Sequence, residues 1–140
     1  MTELDFIAAL RALASHPGAR GLHDDAAVLE FGSETLILTK DMMVEGVHWP
    51  AQQSLVDVAW KLVAVNLSDL AAKGAEPVGV MLGYSLGVND SAFLRGLEAA
   101  LAAFDVPLLG GDTVACEGKR TFSLTAVGRA THTPVPSRKG

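Results

Sequence analysis

The chain has 140 residues, of which 49% are hydrophobic and 19% charged, a composition that suits one domain with a full apolar core. A formal net charge of −5 argues against a general nucleic-acid binder, which would carry a basic face. The single cysteine, Cys116, excludes an internal disulfide, the N-terminus is acidic rather than signal-like, and no apolar run reaches the roughly 18 residues that cross a bilayer, so a soluble cytoplasmic protein is expected.

In chain order, residues 2–15 read as a helix. Thr2 and Asp5 make a weak capping box, and Leu4, Ile7, Leu10 and Leu13 make an apolar stripe. His16-Pro17-Gly18 stops it. Residues 26–31 and 35–44 read as a strand hairpin turning at Gly32-Ser33, and the run Leu36-Ile37-Leu38 suits a strand covered on both faces. Residues 54–73 form the clearest helix, with Val56, Ala59, Trp60, Val63, Leu67 and Leu70 at helical spacing and Gly74 as the stop. Residues 77–88 read as a strand, Asn89 or Asp90 caps a second long helix, and residues 106–109 form a short strand ending in Gly110-Gly111-Asp112. Residues 121–129 alternate Phe122, Leu124 and Ala126, as a half-covered strand does. The polar, Pro-containing stretch 131–140 looks like a linker, leaving residues 1–130 as the domain.

This order predicts an α/β (α+β sandwich) fold, a mixed β-sheet with helices on one face. Two helices cover one face only, so the other apolar face is expected to need a partner.

Five aspartates sit where apolar elements end: Asp24 and Asp25, Asp41, Asp69 and Asp112. Carboxylates gathered in an apolar setting repel one another, and divalent cations with hard-oxygen preference, often shared with substrate phosphates, are the usual remedy. An Asp in such a place also serves as a turn former or cap, and spacing alone does not show that the five converge. Adjacent strand residues face opposite ways, so only one of Asp24 and Asp25 is expected to face a metal. Gly110-Gly111-Asp112-Thr113 lets backbone approach a ligand and present N–H groups to phosphate, although it also makes an ordinary turn, and no Walker A loop is present. Asp69 and Lys73 have the spacing of a surface ion pair. His48 beside Trp49 reads as a packed or hydrogen-bonded surface residue. The four histidines lack zinc-ligand spacing, and Cys116 lacks an activating neighbour. Lys119-Arg120 and Arg138-Lys139 read as solvated charges.

Four stretches, taken together, resemble the N-terminal half of the thiamine-monophosphate kinase family. These are Asp24-Asp25-Ala26-Ala27-Val28, residues 39–49 with Val44-Glu45-Gly46-Val47-His48, residues 61–75 with Asn66-Leu67-Ser68-Asp69, and Gly110-Gly111-Asp112-Thr113. That family lies in the superfamily of aminoimidazole ribonucleotide synthetase and selenophosphate synthetase. The resemblance implies ATP-dependent phosphorylation of thiamine phosphate to thiamine diphosphate. It implies Mg2+ held by Asp24, Asp41, Asp69 and Asp112, with Thr39 and Lys40 in the same shell. It also implies that His48 contacts thiamine phosphate, that Gly111, Asp112 and Arg138 contact ATP, and that a homodimer forms through the sheet.

The chain departs from the family pattern at His23, where Gly is usual, at Lys40, where a hydroxyl is usual, and at Lys73, where Met is usual. The family's C-terminal domain is absent, so residues 131–140 are expected to lead toward it. The alternatives are a non-catalytic nucleotide-binding or dimerisation module, or another superfamily member such as a selenophosphate synthetase, which would want a reactive Cys near the N-terminus.

Overall fold

The computed structural model describes residues 2–24, 26–115 and 117–137. Helix α1 (Glu3–Leu13) opens with the capping box read from the sequence: Thr2 Oγ1 accepts from the Asp5 N–H, and Asp5 accepts from the Thr2 N–H. Its apolar stripe, however, is not buried: no residue of α1 is fully covered, Ile7 and Leu10 are half-buried, and Leu4 and Leu13 are each 79% exposed. A tight turn of 3-10 type (Pro17–Leu22) follows, with His16 accepting from the Gly18 N–H at its start.

Strands β1 (Ala27–Phe31) and β2 (Glu34–Val44) pair as the expected hairpin. Helix α2 (Leu55–Ala72) starts at Ser54, whose side chain accepts from the Val56 N–H, and ends before Gly74, which takes φ 68° to turn the chain into β3 (Ala75–Leu86). Helix α3 (Asp90–Phe104) leads to β4 (Leu108–Ala115), and β5 (Thr121–Ala130) closes the sheet. The strand order is β1-β2-β5-β3-β4, antiparallel except for the β3–β4 pair. A mixed sheet with helices on one face is therefore what forms.

Two strands depart most clearly from the sequence reading. β3 begins and ends two residues earlier than expected, and β4 runs on through Gly110-Gly111-Asp112 to Ala115. The glycines oppose strand formation, but parallel pairing of Gly111 with Leu82 and Asp112 with Gly83 extends the ladder through them. A side chain at position 111 would collide with the Leu82 carbonyl, so only glycine lies this close to β3.

The core lies between the sheet and the two helices. From β5, Phe122, Leu124 and Ala126 are fully buried, while Ser123, Thr125 and Val127 face the other way and are half-buried. Ile37 of β2, Val80 of β3, Leu62, Val63 and Leu70 of α2, and Phe93 of α3 complete the same layer. Gly96 brings α3 against the α2 backbone, where any Cβ would strike the Val56 carbonyl. Trp49, Phe122 and Tyr84 form a stacked column with centroid separations of 5.0 and 4.9 Å. The opposite sheet face carries Lys40, Met42, Met81, Ser123, Thr125 and Asp112, of which Lys40, Met42, Met81 and Asp112 are exposed.

Candidate functional site

The pleat of β2 sends neighbouring candidates to opposite sides of the sheet. Thr39 is buried beneath the helices at 4% exposure, and Lys40 stands on the open face. Lys40 Nζ donates to Thr125 Oγ1 at 3.2 Å. The register sets Lys40 beside Thr125 and Thr125 beside Met81, while the neighbouring row is Met42, Ser123, Gly83 and Asp112. Lys40 and Asp112 begin three strand spacings apart, about 14 Å. Both nevertheless line one open cleft of about 260 Å³, floored by Gly83 and Gly111 and walled by Ser123 and Thr125. A cation, two hydroxyls and a carboxylate over side-chain-free backbone suit a metal-bound phosphate anion.

Asp41 follows Lys40 and points toward α2, lining a second cavity of about 200 Å³ with Met43, His48, Lys61, Leu62 and Val65. Its Oδ2 is buried without a hydrogen-bond partner. His48 reaches the same cavity on the turn after β2, where its Nδ1 accepts from the Val44 N–H at 2.9 Å. Gly46 supplies φ 84° in that turn, and Trp49, 3% exposed and stacked on Phe122, anchors it to the core. The imidazole is exposed and hydrogen-bonded, as the bare residue pattern suggested.

Asp69 is half-buried on α2, one turn before Lys73. Lys73 is not the surface partner its spacing suggested. It is 6% exposed and its Nζ lies 3.5 Å from Asp24 Oδ1. Arg20 Nη1 lies 2.8 Å from Asp24 Oδ2, and Ser137 Oγ donates to Oδ1 at 3.2 Å. Asp25, Cys116, Arg138 and Lys139 lie outside the described residues. Among the described residues, no three His, Cys, Asp or Glu side chains stand close enough to hold a metal ion together. The aspartates divide instead into Asp112 on the open face, Asp41 toward α2 and Asp24 at the end of α2.

A hard divalent cation fits part of this set. The orphaned Asp41 oxygen is a donor without a partner, and a buried carboxylate oxygen left so is costly unless a cation takes it up. Asp24 does not fit a metal as it stands, because both its oxygens are already engaged.

One polar network escaped the sequence reading. Arg120, read as solvated, is 8% exposed and lies over the Tyr84 and Phe122 rings. Its Nε donates to Ser85 O at 3.0 Å, Nη1 to Val88 O at 2.8 Å, and Nη2 to Tyr84 Oη and Asp90 Oδ1, each at 2.8 Å. Asp90 accepts from the Tyr84 hydroxyl and the Gly87 N–H, so it ties β3 and α3 together. Asn89 makes no side-chain cap, since it sits in the left-handed region at φ 67°. Burial, followed by the hydrogen bond to Asp90, pushes the Tyr84 hydroxyl up to about 12. The Tyr84 hydrogen bond chiefly, with the Gly87 N–H and Arg120, holds the Asp90 carboxyl below its usual range. The only local signal was a cation immediately before the β5 alternation; the β3–β5 register that joins the three residues is not visible in spacing.

A mixed five-stranded sheet with helices on one face and an open face carrying Lys40 and Asp112 places the chain in a class of α/β domains. Residues 23–130 match the family model of the AIR synthase related protein, N-terminal domain, and the chain belongs to that family. It is 46% identical, over an aligned length of 147, to thiamine-monophosphate kinase of Caulobacter vibrioides, covering 99% of this chain and 42% of that protein. The solved structure of AaThiL complexed with AMPPCP and TMP superposes with a TM-score of 0.80 at 26% identity, over 91% of this chain and 41% of that one. The thiamine-monophosphate kinase of Stenotrophomonas maltophilia superposes with a TM-score of 0.64 at 39% identity, over 91% and 41%. The chain thus spans about two-fifths of the length of these relatives. No helix among the described residues is long and apolar enough to cross a membrane.

Proposed function

We propose that this chain is the ATP- and magnesium-binding N-terminal domain of a kinase that phosphorylates thiamine phosphate to thiamine diphosphate. The observation that carries this reading is the 46% identity to a thiamine-monophosphate kinase across 99% of the chain. Asp41, Asp69 and Asp112 are the residues proposed to hold magnesium, at separate places rather than around one ion, joined by Asp24 once its cations release it, while Thr39 and Lys40 precede Asp41 on opposite faces of the sheet. Gly111, Asp112 and Arg138 contact ATP, and His48 contacts thiamine phosphate. Magnesium, when bound, offsets the repulsion between the phosphates of donor and acceptor.

The work left to the protein is positioning and charge neutralisation, because phosphoryl transfer needs little covalent chemistry from it. Gly111, held against Leu82, leaves the open-face cleft free of side chains at that point, so phosphate oxygens reach backbone there. Asp112, which lines the cleft, would hold a cation there. Lys40 adds a fixed positive charge on the same face, and Ser123 and Thr125 supply hydroxyl donors. His48, fixed by the Val44 N–H, keeps its other ring nitrogen for the acceptor. Transfer is direct and in line, without a phosphoenzyme.

A homodimer forms through the sheet beside the cleft, at Met42 and Val114, which are 56% and 52% exposed and do not line it. Residues 131–140 lead from this domain toward the remaining length found in the relatives. The protein carrying this domain at the relatives' full length should convert thiamine phosphate to thiamine diphosphate with ATP and magnesium. Asp112→Ala should lower that rate at least a hundredfold, a conservative figure for loss of a charge-stabilising group. Equal rates for wild type and Asp112→Ala would refute the assignment.

A further inference from the structure

Asp24 is engaged at both carboxylate oxygens, by residues from three separate parts of the chain. Its side chain is 3% exposed. Arg20 comes from the turn before β1, Lys73 caps the end of α2, and Ser137 lies in the segment after β5. The same two cations also hold that last segment. Arg20 Nη1 donates to Pro136 O and Nη2 to Val135 O, each at 3.2 Å, and Lys73 Nζ donates to Pro136 O at 3.2 Å. Val135 is 7% exposed, so the segment is packed as well as hydrogen-bonded. At its start, Thr131 donates through both its N–H and its hydroxyl to Gly74 O, beside Lys73.

We infer that Lys73 and Arg20 form a latch, an internal pair of cations that occupies Asp24 in place of a divalent metal and docks residues 131–137 in the same act. The inference rests on the proposed reading that Asp24 belongs to the magnesium shell. A magnesium ion takes a carboxylate oxygen at about 2.1 Å. An ammonium 3.5 Å from the same oxygen is a like charge in a site nearly closed to water, where screening is weak. Lys73 has to leave Asp24 before a metal arrives, and it then loses its position at Pro136 O. Metal at Asp24 and a docked 131–137 segment therefore exclude one another, and each weakens the other by the same factor. Lys73 is in this sense a positioning residue for the metal, acting through Asp24. The segment it releases is the one that leads out of the domain, so metal occupancy is coupled to the freedom of that connection.

The test uses the chain itself with Mn2+ as the magnesium probe and AMPPCP as the nucleotide. Free Mn2+ is followed by electron paramagnetic resonance, and residues 131–137 by hydrogen exchange. Lys73→Met removes the charge and keeps most of the length; Lys73→Gln, which retains a donor for Pro136 O, covers the case in which the Met variant is poorly folded. The latch predicts Mn2+ binding tightened by roughly tenfold to a hundredfold in the Lys73 variant, the usual range for a group beside a metal ligand. It predicts that adding Asp24→Asn cancels the gain, and that Mn2+ raises hydrogen exchange across 131–137 in the wild type. Unchanged or weaker Mn2+ binding in both Lys73 variants, with binding still lost in Asp112→Ala, overturns the latch and leaves the magnesium reading standing. Mn2+ binding insensitive to Asp112, Asp41 and Asp24 together overturns the reading on which the latch depends.

Discussion

Replacing Arg120 by methionine removes four hydrogen bonds, to Ser85 O, Val88 O, Tyr84 Oη and Asp90 Oδ1, and keeps part of the stem that lies on the aromatic column. At about 0.5–1.5 kcal/mol net for each bond, the loss spans about 2–6 kcal/mol. Asp90 is 33% exposed, so the carboxylate left behind is partly solvated and the cost belongs in the lower half, about 3 kcal/mol. An unfolding entropy of about 2.1 cal/mol/K per residue gives about 0.3 kcal/mol/K for a chain of this length, so Tm should fall by about 10 °C. Urea unfolding followed by circular dichroism measures the free energy, and a thermal scan measures Tm. Arg120→Lys should recover only part of the loss, because an ammonium cannot span β3, the β3–α3 connection and Asp90 as the planar fork does. A change within about 0.5 kcal/mol for Arg120→Met would put the residue among ordinary surface positions and refute the claim that this network joins β3, β5 and α3.

The same network sets a pH dependence at both extremes. The Asp90 carboxyl is depressed in the folded state, so its contribution is present above the unfolded carboxylate range, near 3.9, and is lost as pH falls through the folded value. Tyr84 is raised to about 12, so its contribution is present below the unfolded value near 10 and is lost between about 10 and 12; Tyr84→Phe should flatten urea stability over that upper window. Gly96→Ala should destabilise by about 1–3 kcal/mol in urea unfolding, since the added methyl meets the α2 backbone at Val56 rather than a side chain able to move aside. Asp41→Asn should leave metal-free thermal stability unchanged or raised, because it removes a buried carboxylate oxygen without a partner, and should abolish the rise in Tm on adding magnesium. Lys40→Thr should weaken AMPPCP binding measured without magnesium by at least about tenfold, the ~1.5 kcal/mol of a hydrogen bond to a charged group, while moving stability by less than about 0.5 kcal/mol.

How much of this was legible in the sequence depended on whether the determining contacts were local. The period of α2, the cap of α3, the hairpin at Gly32 and the alternation of β5 are short-range patterns, and each placed its element within two residues or so. The open sheet face followed from counting helices against strands. The extent of β4 did not follow, because Gly110 and Gly111 read as a turn until β3 lies alongside to pair with them. The stripe on α1 implied a packing surface that the described residues cover only in part. Lys73 and Arg120 were both placed on the surface, since a cation at a helix end or before a strand usually is. Their partners, Asp24 at a separation of 49 residues and Asp90 at 30, meet them only through the fold. The Gly-Gly-Asp, Val-Glu-Gly-Val-His and Asn-Leu-Ser-Asp motifs carried the family assignment, but which of their side chains share a face was set by strand register.

The central claim is that the open-face cleft around Asp112 binds nucleotide together with magnesium. Isothermal titration of AMPPCP into the purified chain, with and without magnesium and alongside Asp112→Ala, tests it most directly. The account predicts saturable binding that tightens with magnesium and disappears in the variant while its circular dichroism stays native. Binding of equal strength in the presence and absence of magnesium, and in Asp112→Ala, would contradict it.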